Sequence, residues 1–182
     1  MSNHDDTTQT LYSGRWLTLR QRGHWEYVER NNPGGAVIII AVTSEDKLLF
    51  VEQFRVPIGQ RTIEMPAGLV GDIQADESIE QSAIRELEEE TGWTAEHAEV
   101  LLIGPVSSGS SSERVAFVRV TGLTKVGQGG GDGDEDITVH QVPRTRAAAW
   151  LVQKLNEGYQ LDAKLWAGLW MIEHHLDGTP RV

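Results

Sequence analysis

Apolar and polar positions alternate in a two-residue rhythm near the start of the chain. Leu11 to Arg20 and Trp25 to Arg30 carry that rhythm and predict strands, with Gln21-Arg22-Gly23 as the turn between them. The nine residues at the start are polar and predict a loose end. Asn31-Asn32-Pro33-Gly34-Gly35 is a dense run of chain breakers and closes this small β unit. Ala36 to Val42 is continuously apolar and rich in β-branched residues, which suits a central strand covered on both faces. Ser44-Glu45-Asp46 then turns the chain into a second strand, Lys47 to Phe54.

From Ala67 to Asp76 the rhythm lapses, and a loop holding Gly68 and Gly71 is expected. Ser78 and Gln81 have the spacing of a capping box, and the helix they open runs to about Thr91, with Gly92 as its left-handed terminator. Ile79, Ala83 and Leu87 recur every four residues and give that helix one buried stripe. Further strands are expected at Val100 to Ile103, Arg114 to Val120 and Ile137 to Val142. Gly127 to Asp136 reads as a flexible acidic loop, and two helices, about Arg146 to Glu157 and Ala163 to Leu176, finish the chain. Strands interleaved with helices predict a mixed sheet with helices packed on both faces, an α+β arrangement.

Composition narrows the chemistry. A chain of 182 residues has room for a full core. With no cysteine there are no disulfides, zinc-thiolate sites or thiol nucleophiles. Residues Met1 to Asp6 lack the basic and apolar regions of a signal peptide, and the longest apolar run is far short of a membrane span, so a cytoplasmic protein is expected. The net charge is −11, from 27 acids against 16 bases. That balance argues against nucleic acid and anionic membrane as partners. An anionic substrate would need a cation between itself and such a surface.

The acids concentrate in Arg85-Glu86-Leu87-Glu88-Glu89-Glu90-Thr91-Gly92-Trp93. Like charges three and four apart repel, and a helix dipole disfavours anions near its C-terminus. Glu86 and Glu90 share a face, with Glu89 on the adjoining edge. Bare spacing leaves two readings open: a charged face turned to water, or carboxylates relieved by hard divalent cations.

Gly71, Glu77, Arg85, Glu86, Leu87, Glu89, Glu90, Gly92 and Trp93 also fill every constrained place of one known box. That box is a glycine, five residues, a glutamate, seven residues, then Arg-Glu-apolar-x-Glu-Glu-x-Gly-apolar. The sequence thus resembles the Nudix hydrolase family. The resemblance implies a Nudix-type α/β/α sandwich with a mixed β-sheet, the box forming loop, helix and loop. It implies metal-dependent hydrolysis of a nucleoside diphosphate linked to another group, with two or three Mg2+ or Mn2+ ions. Glu86 and Glu90 would be principal ligands, and Glu89 a ligand or a base holding water. Arg85 would pair with a box carboxylate, and Glu77 would shape the loop.

Outside the box, Glu52-Gln53-Phe54-Arg55, Glu64-Met65-Pro66-Ala67-Gly68, Ser108-Gly109-Ser110, Ser112-Glu113-Arg114 and Glu135-Asp136-Ile137 resemble the ADP-ribose and nucleotide-sugar pyrophosphatase branch. By that resemblance Arg55 contacts substrate, and the Ala67 carbonyl and Glu135 complete the metal cluster. The products would be a nucleoside monophosphate and a sugar phosphate. Residues 1–33 become an N-terminal antiparallel β unit that dimerises and clamps the base, and 34–182 the catalytic domain. Trp25 and Tyr27, or Trp16, would stack on the base across a homodimer; as bare sequence such aromatics are more often strand-packing residues. Two positions depart from the pattern. Gly133 stands where relatives carry a favoured general base, so Glu113 or the neighbouring Asp134 is expected to hold the water instead. Ser108 replaces a proline of many ADP-ribose-specific members, which favours a broader nucleotide-sugar range.

Other readings fail on spacing. Asp132, Asp134 and Asp136 alternate like a calcium loop, but an EF-hand needs glycine and glutamate where Ile137 and Pro143 stand. No helical histidine pair encloses a glutamate, which excludes a zinc protease of that type. A catalytically silent nucleotide-sugar sensor and a dinucleoside polyphosphate hydrolase remain as alternatives within the same family.

Overall fold

The computed structural model describes residues 7–32, 34–73, 76–131, 133 and 135–181. The chain opens as a three-stranded antiparallel sheet of β1 (Thr8–Ser13), β2 (Leu17–Arg22) and β3 (Trp25–Arg30). The expected single strand from Leu11 to Arg20 is therefore two. Gly14 breaks it, donating its N–H to the Leu17 carbonyl at 2.8 Å. The polar start at Thr8 is also strand, because an edge strand exposed along its whole length needs no apolar face. Val28 ties this sheet to the remainder: its N–H donates to Ser110 O at 2.9 Å and its carbonyl accepts from Ser112 at 3.0 Å.

The apolar run becomes β4 (Ala36–Ala41), and both of its faces are covered. It pairs in parallel with β10 (Arg114–Thr121) and antiparallel with β7 (Ala67–Leu69); β9 (His97–Pro105) completes a sheet in the order β7-β4-β10-β9. Alternation along β4 divides the core. Val37, Ile39 and Ala41 meet Ala83 and Leu87 of α1 (Ile79–Thr91) on one side. Ile38 and Ile40 meet Phe50, Leu151, Leu165 and Met171 on the other, beneath α2 (Ala147–Asn156) and α3 (Lys164–Glu173). A second sheet, β12-β5-β6-β13, comprises β5 (Lys47–Arg55), β6 (Gln60–Glu64), β12 (Thr138–Pro143) and β13 (Gln160–Leu161). A two-residue pair, β8 (Trp93–Thr94) with β11 (Thr124–Lys125), follows α1. This is the mixed-sheet, α+β sandwich of helix, sheet and helix.

Several boundaries differ from expectation. Ala67 to Leu69, expected as loop, pairs with Ala36 to Ile38. The β6 strand carries no apolar alternation, and it forms because Thr62, Ile63 and Glu64 are all buried. The α2 helix starts after a 3-10 turn over Arg144–Arg146, and α3 ends at Glu173, with His174 already extended. Trp150 stacks on Phe50 at 5.5 Å between centroids, whereas Trp166 and Trp170 stay substantially exposed. Among the described residues no helix is long and apolar enough to cross a membrane.

Candidate active site

The α1 helix is fixed at both ends before any chemistry is asked of it. Ser78 and Gln81 cap each other's backbone N–H, and Gly92 ends the helix at φ 69°. Burial of Ala83 and Leu87 then turns Glu86 and Glu90 toward β7. Gly68 on that strand passes so close that a Cβ there would lie 1.8 Å from the Glu86 carboxyl carbon. The Leu69 N–H donates to Glu86 Oε1 at 3.1 Å, and the Ala67 N–H to Glu90 Oε2 at 2.9 Å.

Both glutamates are buried, 8% and 4% exposed. Burial pushes the Glu86 pKa up to about 7, against the opposing pull of Arg85. Burial likewise lifts Glu90 well above the usual carboxylate range; the fields of Glu86 and Glu135 add to the rise, and the Ala67 N–H opposes it. The crowded helix end is relieved from far along the chain. Lys125 Nζ donates to Thr91 O at 2.7 Å, and the N–H groups of Gly130 and Gly131 donate to Glu90 O and Glu89 O at 2.9 and 3.1 Å. The N–H groups of Val126 and Gly127 both reach Gly92 O. The last turn of α1 holds no basic residue, so tertiary structure supplies the cation.

Arg85 draws the box together. Its guanidinium donates to Glu77 at 3.0 Å, Glu86 at 3.0 Å, Glu89 at 2.8 Å and Asp72 at 2.8 Å. Glu77 also accepts from Ser82 Oγ at 2.8 Å, which pins the loop to the first turn of the helix.

Beside Glu86 and Glu90 opens a cavity of about 540 Å3. Of the residues singled out in the sequence, Arg55, Ala67, Glu86, Glu90, Glu113 and Glu135 line it. Glu89 does not. It lies beyond Arg85 and faces a separate hollow with Ile84 and Val126, because one position short of Glu90 turns it away from β7. Trp25 and Tyr27 are not among the described residues lining the cavity, so within one chain they clamp nothing there. Asp134 lies outside the described residues. Glu113 is engaged by Arg30 Nε at 2.6 Å, which ties the expected base to the N-terminal sheet. Arg55 grips Glu64 through two bonds, Nε to Oε1 at 2.6 Å and Nη2 to Oε2 at 2.7 Å.

Sequence reasoning overlooked Arg30, Asp162 and Lys164 and gave Glu64, quoted there within a motif, no role; all four line the same cavity. Lys164 Nζ pairs with Asp162 Oδ2 at 2.5 Å. No local pattern marks Arg30, Asp162 or Lys164. A hint lay in the charge balance, since an acid-lined cavity for an anion must draw cations from elsewhere. Arg30 and Glu113 also line a neighbouring cavity of about 710 Å3 between the N-terminal sheet and β10.

The donor chemistry suits a hard divalent cation: Glu86, Glu90 and Glu135 line one cavity, and burial of the first two disfavours their charge. Among the described residues no three acidic or imidazole side chains are already drawn to ligand geometry. Glu86 and Glu90 instead each accept a backbone N–H.

Residues 32–158 match a family model described as the NUDIX domain. The chain is 32% identical over 154 residues to a methanol dehydrogenase activator of Bacillus methanolicus, covering 81% of this chain and 82% of the relative. It is 33% identical over 162 residues to an ADP-ribose pyrophosphatase of Mycobacterium tuberculosis, covering 81% and 75%. A crystal structure of an ADP compounds hydrolase superposes with a TM-score of 0.63 at 20% identity, covering 84% of this chain and 92% of that one.

Proposed function

The chain belongs to the Nudix hydrolase family, and we propose that it is a metal-dependent diphosphatase acting on ADP-ribose or related nucleoside diphosphate sugars, releasing a nucleoside monophosphate and a sugar phosphate. The observation that carries this reading is the burial of Glu86 and Glu90 together beside Arg55 and Glu135 in one cavity. Buried acids whose charge is disfavoured make a strong demand for cations, and a diphosphate makes the same demand from the other side. Glu86, Glu90 and Glu135, with the Ala67 carbonyl, would hold Mg2+ or Mn2+. When bound, such ions neutralise phosphate charge and make water a better nucleophile.

The chain's own residues supply the rest. Arg55 offers the diphosphate the N–H bonds that Glu64 leaves uncommitted. Glu113, which lines the cavity, would take a proton from water, and its pairing with Arg30 would set its direction. Rigid mounts on α1 and β7 keep these groups in place, which is most of what phosphoryl chemistry asks of a protein. A homodimer through the N-terminal sheet is part of the proposal: Tyr12, Trp16 and Trp25 are 69%, 63% and 57% exposed there. Across such a dimer Trp25 or Trp16 of the partner subunit would reach the base.

The test is release of phosphate monoester, measured with a coupled phosphatase, from ADP-ribose, GDP-mannose, UDP-glucose and a dinucleoside polyphosphate, with and without Mg2+. Metal-dependent turnover of a nucleotide sugar is expected. Micromolar binding without turnover would make the protein a sensor and sink the catalytic reading.

A further inference from the structure

A guanidinium placed among carboxylates comes to rest on them, and Arg85 shows the outcome by bridging Glu77, Glu86 and Glu89. Arg55 shares a cavity with Glu86, Glu90 and Glu135 yet is held otherwise. Its Nε and Nη2 are both committed to the Glu64 carboxylate, at 2.6 and 2.7 Å. Glu64 is 7% exposed and fixed at the end of β6. Strand register sets Gln60, not Glu64, opposite Arg55, so the arginine side chain runs along the sheet to reach its partner. The next strand closes the arrangement, with Asp162 N–H donating to Ile63 O at 3.0 Å. Glu90 lies near enough for its field to favour the Arg55 charge, behind the larger effect of the Glu64 bonds.

We propose that Glu64 is a positioning residue that tethers Arg55 to the cavity wall, holding its guanidinium off Glu86 and Glu90 so that divalent cations can enter between them. The inference rests on the metal-dependent reading of this site. Without the tether Arg55 would settle where the cations belong, a competitor built into the chain. With it, the same arginine stays at the rim and meets the diphosphate. The other role for a buried acid here is direct metal ligation, and the two roles separate on a pair of variants.

The experiment is Mn2+ titration of the whole chain without substrate, followed by the electron paramagnetic resonance of free Mn2+. Glu64→Gln is expected to weaken binding about tenfold, the usual scale for losing a partner outside the ligand set. Glu64→Asp keeps the charge and shortens the reach, and is expected to weaken binding as well. Glu64→Gln combined with Arg55→Gln is expected to return to the natural affinity. Unchanged binding in Glu64→Gln or Glu64→Asp would overturn the tether. A double variant as weak as Glu64→Gln alone would make Glu64 a ligand instead. If Glu64→Gln fails to fold by circular dichroism, Arg55→Gln carries the test: it must bind Mn2+ at least as tightly as the natural chain, and weaker binding overturns the proposal. Failure of the natural chain itself to bind Mn2+ would overturn the metal reading and this inference together, a result distinct from all the others.

Discussion

Glu90 is the side chain on which fold and chemistry pull hardest against each other. It is 4% exposed, and its charge is disfavoured by burial and by two neighbouring acids. Glu90→Gln keeps an oxygen for the Ala67 N–H and removes the charge. Activity should fall about 100-fold or more, on the scale of losing a group that stabilises transition-state charge, while the melting temperature stays level or rises. Steady-state kinetics beside thermal melts decide this, and a variant that no longer folds would mark the acids as structural. Glu86 gives a pH signature. Its folded pKa of about 7 lies above the ordinary value of 4.5, so between those limits the folded chain holds more protons than the unfolded one. Stability then falls as pH rises through that window. Metal-free protein should therefore melt higher at pH 5.5 than at pH 8, with Glu90 acting in the same direction. Glu77, whose pKa is lowered chiefly by its Arg85 hydrogen bond, contributes stability that is lost only in stronger acid. Calorimetry in chelator across this range would show a flat or rising profile if the burial argument were wrong.

At the scale of elements, two substitutions on and beside α1 should behave oppositely. Ser78→Ala removes a cap worth about 1 kcal/mol and touches no site residue, so stability should fall and kcat should not. Gly68→Ala drives a methyl into the Glu86 carboxylate and should abolish turnover while costing roughly 1 to 3 kcal/mol. Melts and kinetics on the pair would separate the two, and normal kcat in Gly68→Ala would refute the close packing of β7 on α1. The same elements show what a sequence discloses. The α1 helix was legible because its cap, stripe and terminator are all local, and β4 because a run covered on both faces has nothing but apolar residues. The β6 strand was not, since its buried acid, Glu64, finds its partner Arg55 nine residues back, at the end of the neighbouring strand, only after folding. The box acids could be picked out from the nine-position box pattern they belong to, not from their own spacing. Their distribution could not: Glu86 and Glu90 enter the cavity while Glu89 is retained by Arg85, a choice made by where β7 lies. Arg30 and Lys164 were illegible for the same reason, each arriving from an end of the chain.

The whole molecule brings charge and assembly into play. With a net charge of −11 the monomers repel, so the proposed dimer must draw on the aromatic surface of the N-terminal sheet and should tighten as salt screens the repulsion. Light scattering after size exclusion should give a dimer, shifted toward monomer by Trp16→Ser with Trp25→Ser; a monomer at every concentration and salt would end that part of the proposal. The stretch from Val126 to Gly131 has a wider consequence. Its N–H groups close the end of α1, and Gly129 packs so near that a Cβ would lie 2.3 Å from the Thr91 carbonyl carbon. Helix and loop, far apart in the chain, therefore travel as one cassette. A chimera that borrows the box helix from a relative should borrow this stretch with it, and foreign specificity loops are best spliced outside its two ends.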